Sequence, residues 1–239
     1  MPSSIALYKP ILDTFQAPVS RFDCGRKCAP LNEGTPVCCD VEHAIPLVDK
    51  NEWLLLKSRT DLWRPYRARD EQAKKELADK HRDCRAVECK GFMFCERDNR
   101  SLACRAFPFF PYITKDDELI GLSVFWDFAD RCWVQSNLQI VEPVFVKECI
   151  AAYELLFDND AAERKANRDH SAAMRRAFTR MDRLIPLLGR EGEYLGVEPR
   201  THKVRKAHWR EYGRNDTFKD EKPAPAAKSR RWLTMVLLS

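Results

Sequence analysis

Several familiar features are missing from this chain of 239 residues, and each absence narrows its function. Only 8 residues are glycine, and no P-loop, dinucleotide-binding glycine pattern, nucleophile elbow or HExxH pair occurs, which removes the commonest enzyme classes that announce themselves by motif. Long apolar runs are also lacking. Stretches such as Ile120–Trp126 and Trp232–Leu238 are far below the roughly 20 residues that a bilayer needs, so no membrane partner is expected. The start, Met1-Pro-Ser-Ser-Ile-Ala-Leu-Tyr-Lys-Pro10, lacks the basic-then-apolar order of a secretory leader. The expected location is therefore cytoplasmic, where thiols stay reduced. With 44% hydrophobic and 32% charged residues, the chain is apolar enough to bury a core and is not a minimal disulfide-stapled peptide.

What the sequence does have is cysteine, ten residues unevenly placed. They are Cys24, Cys28, Cys38, Cys39, Cys84, Cys89, Cys95, Cys104, Cys132 and Cys149, with none beyond. Charge is uneven as well. Residues 161–239 hold 19 Lys and Arg against 10 Asp and Glu, a net +9, which leaves 22 against 26 and a net −4 in residues 1–160. Any cysteine chemistry thus belongs to the first two thirds, and the basic part lies elsewhere.

Local signals sketch the organisation. Residues 1–22 show no clear period and are expected along the surface, and the Cys-, Gly-, Pro- and Asn-containing stretch Asp23–Asp40 reads as loop. Asp49, with Glu52 three residues on, reads as an N-cap with its capping-box partner ahead of Trp53–Leu56. Thr60 or Asp61 is expected to cap a second, solvated helix through Arg67–Arg82. Phe110–Thr114 and Glu118–Trp126, separated by Lys115-Asp-Asp117, read as a β-hairpin. After Pro143, Val144, Phe145, Cys149, Ala152, Leu155 and Leu156 repeat at helical spacing. So do Met174, Ala177, Phe178, Met181, Leu184, Ile185 and Leu188, giving an αα-hairpin broken near Asp158–Asp160. The sequence predicts one α+β domain, mostly helical with a small antiparallel hairpin and irregular cysteine-rich loops around a metal centre. Its parts are a cysteine cluster over 20–135, a helical hairpin packed on it over 140–190, and a basic, partly flexible tail over 191–239.

The thiol spacing is Cys24-x3-Cys28-x9-Cys38-Cys39, then Cys84-x4-Cys89-x5-Cys95-x8-Cys104, with Cys132 further on. Short spacings in loops suit a metal or iron–sulfur centre, because thiolates must converge on it from several directions. Spacing leaves open two four-ligand sites or one cluster with spare thiols. The vicinal Cys38-Cys39 pair can serve one centre only where the backbone turns sharply. Cys149, on an apolar helical face, reads as a small buried hydrophobe.

These residues resemble the YkgJ-type cysteine-cluster family, described as a zinc- or iron-chelating domain. The resemblance rests on Cys24, Cys28 and Cys38-Cys39, then Cys89-Lys-Gly-Phe92, Cys95 and Arg100-Ser-Leu-Ala-Cys104-Arg-Ala-Phe-Pro-Phe109. It covers roughly residues 20–135. Two departures are the nine residues between Cys28 and the pair, and Ser101 where the family has Pro. The resemblance implies a metal ligand set of Cys24, Cys28, Cys38, Cys39, Cys89, Cys95 and Cys104, with Cys132 as a further candidate; Cys84 is a candidate by spacing, with an exposed free thiol as its alternative. The implied cofactor is an iron–sulfur cluster or a zinc or iron ion in a structural, redox or metal-handling role, with a protein or metal-trafficking partner. A related cysteine cluster is similar to that of flagellin lysine methylases, which use S-adenosylmethionine and bind an iron–sulfur cluster. That gives the alternative of a cluster-containing modification enzyme such as a protein lysine methyltransferase.

Around the cysteines, Arg105 is expected to direct charge at cluster sulfur as a cofactor-binding residue. Phe107, Phe109 and Phe110, with Pro108 and Pro111, are expected to wall the centre from water, and His43 is close enough to the pair to be weighed as a ligand. The basic segment Arg200–Arg210, which includes Trp209, offers a weaker third reading, a zinc-dependent adapter touching nucleic acid.

Overall fold

Leu7, Tyr8, Ile11, Leu12 and Phe15 recur on one side of a 3.6-residue period, and all five are buried. They form the inner face of helix α1 (Ile5–Thr14), where a period-free surface segment was expected. The computed structural model describes residues 4–68, 71, 74, 75 and 84–226. After α1 come the one-turn helix α2 (Gly25–Cys28), strand β1 (Leu47–Asp49), helix α3 (Lys50–Arg59), and strands β2 (Trp63–Pro65) and β3 (Cys84–Cys89). The five-residue helix α4 (Leu102–Ala106) leads into β4 (Phe109–Ile113) and β5 (Leu119–Val124). Helices α5 (Pro143–Asn159) and α6 (Ala161–Met181) precede β6 (Ile185–Gly189), β7 (Tyr194–Val197) and β8 (Val204–Lys206).

The cap of α3 forms as expected: Asp49 Oδ1 accepts from the backbone N–H groups of Asn51 and Glu52, both at 2.7 Å. Glu52, however, turns inward and accepts from the Leu102 N–H at 2.6 Å. The helix expected from Thr60 or Asp61 does not begin there, because Trp63–Pro65 pairs as a strand. Most of that helix, over Arg67–Arg82, lies outside the described residues. Two strands pair antiparallel with β3. Its first half faces β1, with Asp49 opposite Cys84, and its second half faces β2, with Trp63 opposite Cys89.

The expected hairpin is present as β4 and β5, but it is two strands of a five-stranded antiparallel sheet ordered β4-β5-β6-β7-β8. The molecule is thus α+β with two antiparallel sheets among the described residues. The three C-terminal strands correct two expectations. Helix α6 ends at Met181, where Asp182 takes a left-handed conformation (φ 50°), and Pro186 cannot continue a helix because it has no N–H and its ring meets the preceding turn. Leu184, Ile185 and Leu188, read as helical, therefore belong to the β6 region. Residues 194–206, assigned to a tail, complete the sheet. Strand β6 pairs with β5 across the helical hairpin, so the chain does not divide near residue 140.

β5 and β6 approach closely where Gly121 faces Gly189; a Cβ at Gly121 would lie 2.3 Å from the Leu188 carbonyl oxygen. β4 lies at the sheet edge, where unpaired backbone groups are a liability. Helix α6 covers it: Ser171 Oγ accepts from Ile113 N–H at 3.0 Å, and Arg175 donates to Ile113 O at 2.7 Å. The break between the helices falls where expected, at Asp160, whose side chain caps Ala162 and Glu163. Buried Phe145 on α5 packs against both Phe15 and Phe109, with ring centroids 5.5 and 5.6 Å apart. Glu148 accepts from the N–H groups of Gln16 and Ala17 at 2.8 and 2.6 Å. The segment that follows α1 is thereby fastened to α5, and it becomes one wall of the cysteine cleft.

Candidate metal centre

Four short segments carry the thiols to one place. Cys24 and Cys28 bracket α2, whose single turn is too short to impose a helical face. At Val37–Cys39 a 3₁₀ turn, with the Cys39 N–H on Pro36 O at 2.8 Å, bends the backbone sharply. It brings the Cys38 and Cys39 sulfurs to 3.9 Å. Cys89 ends β3, and its sulfur accepts from the Gly91 N–H at 3.4 Å. Gly91 has φ +105°, a conformation that favours glycine, and it starts the tight turn leading to Cys95. Cys104 lies in the first turn of α4, and its N–H is capped by Ser101 Oγ at 3.2 Å. Ser101 is therefore the cap of the helix that carries this thiol.

Cys24, Cys38, Cys39, Cys95 and Cys104 line a cleft of about 480 Å³. Cys38, Cys39, Cys95 and Cys104 also face a smaller cavity of about 30 Å³, which adds Cys89. Those four thiols form the partition between the two. Cys132 is buried and lines neither cavity; burial raises its pKa, with Cys24 and Cys28 adding to the rise. Cys84, at the far end of β3 opposite Asp49, lines neither cavity. Cys149 is fully buried in α5. All ten cysteines are outside disulfides. Among the described residues no three His, Cys, Asp or Glu side chains stand in a ligating arrangement; the thiols share a cleft without closing on one point.

Burial dominates the electrostatics. It pushes the Cys24 thiol up to about 11, and Cys104 and Cys132 up to about 12. Within the vicinal pair, the hydrogen bond between the sulfurs favours one thiolate. Cys39, accepting from Cys38, is lowered to about 7, while Cys38 is raised well above its ordinary value. Arg21, Arg97, Arg100 and Arg105 all line the cleft, and Arg100 meets a thiol. Its Nε donates to Cys95 Sγ at 3.0 Å. Burial disfavours its charge, but Cys104, Cys95 and Cys39 outweigh that and hold it protonated. Burial thus favours the neutral thiol at Cys24, Cys104 and Cys132, and Cys39 is the thiol shifted toward thiolate.

Arg105 does not serve the role expected of it. Its guanidinium donates to the carbonyls of Arg100 (3.0 Å), Leu12 (2.7 Å), Phe15 (2.5 Å) and Asp98 (2.5 Å), so it ties α4 to the C-terminal end of α1. The arginine that meets sulfur is Arg100, which the motif Arg100-Ser-Leu-Ala-Cys104 already contained. Phe107 lines the cleft, whereas Phe109 and Phe110 are core residues of β4. His43 has both ring nitrogens engaged, by Asn32 and Arg131. In the basic segment, Arg205 pairs with Glu198 and Glu211 and Arg200 pairs with Asp182, so neutralising partners lie within the chain itself. The chain matches no family model, no curated protein and no solved structure. The residues of the cleft therefore carry the functional reading alone.

Proposed function

We propose that this protein binds a thiolate-ligated metal centre, an iron–sulfur cluster in preference to a single zinc or iron ion, in a reducing cytoplasmic setting. The observation that carries the reading is the convergence of Cys24, Cys38, Cys39, Cys89, Cys95 and Cys104 from separate segments onto one pair of cavities. Thiols in such number select soft metals. The 3.9 Å separation of the Cys38 and Cys39 sulfurs is close to the ~3.8 Å edge of a tetrahedron with ligand bonds of about 2.3 Å. Cys38, Cys39, Cys95 and Cys104 are the first candidates to hold the centre, with Cys24 and Cys89 flanking them and Cys28 and Cys132 adjacent; Cys84 is the weakest of the nine. When bound, the centre supplies structural cross-linking or one-electron chemistry. The chain's own part is to gather the thiols, set Arg100 against Cys95 and line one side with Phe92 and Phe107. A metal-trafficking or redox partner protein follows from that role.

The test is elemental analysis and the visible absorption spectrum of anaerobically purified protein. Iron with sulfide and a brown colour are expected. Colourless protein that takes up neither iron nor zinc on anaerobic reconstitution overturns the reading. Cys39→Ser and Cys104→Ser should lower metal content, and Cys149→Ser should not.

The cleft also favours a second reading. A volume of about 480 Å³ falls within the ~300–1,000 Å³ of ligand sites, which leaves room beside a metal centre for a substrate. This is the cluster-containing modification enzyme, for example an S-adenosylmethionine-dependent protein lysine methyltransferase. Binding of S-adenosylmethionine to the metal-loaded protein, measured by calorimetry, separates it from a purely structural or metal-handling role.

A further inference from the structure

The segment that presents Cys38 and Cys39 has little regular structure to hold it. Between Ala29 and Pro46 the chain forms only two three-residue 3₁₀ turns. A relay of side chains fastens it instead. The Asn32 amide nitrogen donates to Thr35 O and to Asp40 Oδ2, each at 3.0 Å, so its oxygen is left to face His43 Nε2 at 2.7 Å. On the other side of the ring, Arg131 Nη1 approaches His43 Nδ1 at 3.1 Å. A guanidinium has only donors, so Nδ1 must accept; the Asn32 oxygen only accepts, so Nε2 must carry the hydrogen. The two neighbours fix a single neutral tautomer and engage both nitrogens. Arg131 is itself held by Asp130, at 2.8 Å through Nε and 2.9 Å through Nη2, and it immediately precedes Cys132.

We infer that His43 is a positioning residue, a strut that holds the Cys38–Cys39 turn against the loop of Cys132, and not a metal ligand. Its link to metal binding rests on the proposed function above, but the strut itself is a property of the chain. His43 lies four positions after Cys39 and 88 positions before Arg131, so this one ring spans the two halves of the cysteine constellation. Glutamine keeps one donor and one acceptor on a side chain of similar reach: its amide N–H can donate to Asn32 and its oxygen can accept from Arg131.

The test uses the full chain with His43→Ala, His43→Gln and Arg131→Met. Two quantities are measured: the alkylation rate of each cysteine in the reduced, metal-free protein, and the rate at which zinc leaves the zinc-loaded protein for a chelator. His43→Ala should speed alkylation of Cys38, Cys39 and Cys132, and zinc loss, by about tenfold, the factor that corresponds to about 1.4 kcal/mol, a typical worth for a hydrogen bond involving a charged group. Arg131→Met should do the same without touching the imidazole, and it decides the matter if His43→Ala does not fold. His43→Gln should stay within about twofold of the unaltered chain, which a ligand role does not allow. The inference is overturned if alkylation is unchanged in both strut-breaking variants, or if His43→Gln loses zinc as fast as His43→Ala. Should the unaltered chain bind no zinc or iron, the metal reading falls, and the alkylation pattern still decides the strut.

Discussion

The five-stranded sheet and the thiol-bearing layer are built on different physical terms. In the sheet, every residue of β4 and β6 is buried, neighbouring strands satisfy the backbone, and α6 covers the β4 edge through Ser171 and Arg175. In the thiol layer the backbone runs in short turns, and large apolar side chains lie open: Leu31 is 60% exposed, Met93 77% and Phe94 65%. Its cohesion comes from single polar cross-ties: Arg105 to four carbonyls, Glu52 to Leu102, Arg100 to Cys95 and His43 to Asn32 and Arg131. Apolar burial is broad and tolerant, whereas a handful of directed bonds is specific and easily broken. The comparison teaches that the sheet is held by broad burial and the thiol layer by a few directed bonds, so the layer is the region that the proposed metal centre would stabilise most.

The strongest way to sharpen this contrast is to remove the metal. Because ligand binding to the folded state adds directly to stability, chelation should sharply accelerate amide exchange over residues 23–44 and 89–107 and barely alter it over 109–124 and 185–197. Equal acceleration everywhere would mean that the two regions unfold as one unit. Next in size is Leu122→Ala in the sheet core, where the residue is fully buried. It should cost about 2–5 kcal/mol in chemical denaturation while leaving metal content and cysteine alkylation rates intact. Arg105→Ala should cost about 2–4 kcal/mol, since carbonyls of α1 lose charge-assisted bonds. Unlike Leu122→Ala, it should lower metal retention by displacing α4.

Glu52→Gln has the smallest expected effect near pH 5, and it is the variant with a sign to check. Burial raises the Glu52 carboxyl from 4.5 to about 8. Between those pH values the unfolded chain is ionised and the folded chain holds the proton, so Glu52 lowers stability by up to about 1.4 kcal/mol per pH unit as pH rises. The penalty is absent below about pH 4.5 and fully developed above about pH 8. Glutamine keeps an acceptor for the Leu102 N–H and removes the titration. The variant should therefore match the unaltered protein near pH 5 and exceed it in melting temperature at pH 8. An identical pH dependence in the two proteins would show that Glu52 is ionised in the folded state.

Three local signals were legible in the sequence, while contacts between distant segments mostly were not. The Asp49 cap, the break at Asp160 and the β4–β5 hairpin each depend on residues within a few positions of one another. Helix α1 was present in the spacing of Leu7, Tyr8, Ile11, Leu12 and Phe15, but Pro10 interrupts the pattern. At Ile185 the apolar spacing ran on as if helical, and Pro186 was the deciding residue. Glu52 had two possible partners, its own helix start and a backbone N–H fifty residues away, and no local rule chooses between them. The same holds for the two arginines. Arg105 is the chain neighbour of Cys104, yet the carbonyls of α1 claim it, which leaves Arg100 to the sulfur. The gathering of thiols was legible from their spacing in loops. Cys84 was not separable, because its distance from the cleft depends on how β3 pairs.

The pairing of β6 with β5 also sets a timetable. The 60 residues between Val124 and Ile185 must be synthesised before β5 acquires its second neighbour, and at about 5–20 residues per second that takes roughly 3–12 s. During that interval every candidate ligand up to Cys104 has already been made, while the β4–β5 hairpin has an open edge and helices α5 and α6 are still incomplete. The nascent chain thus makes its thiols before it owns the scaffold that will seat them, so under the proposed function metal delivery would compete with oxidation during translation, before the finished fold exists.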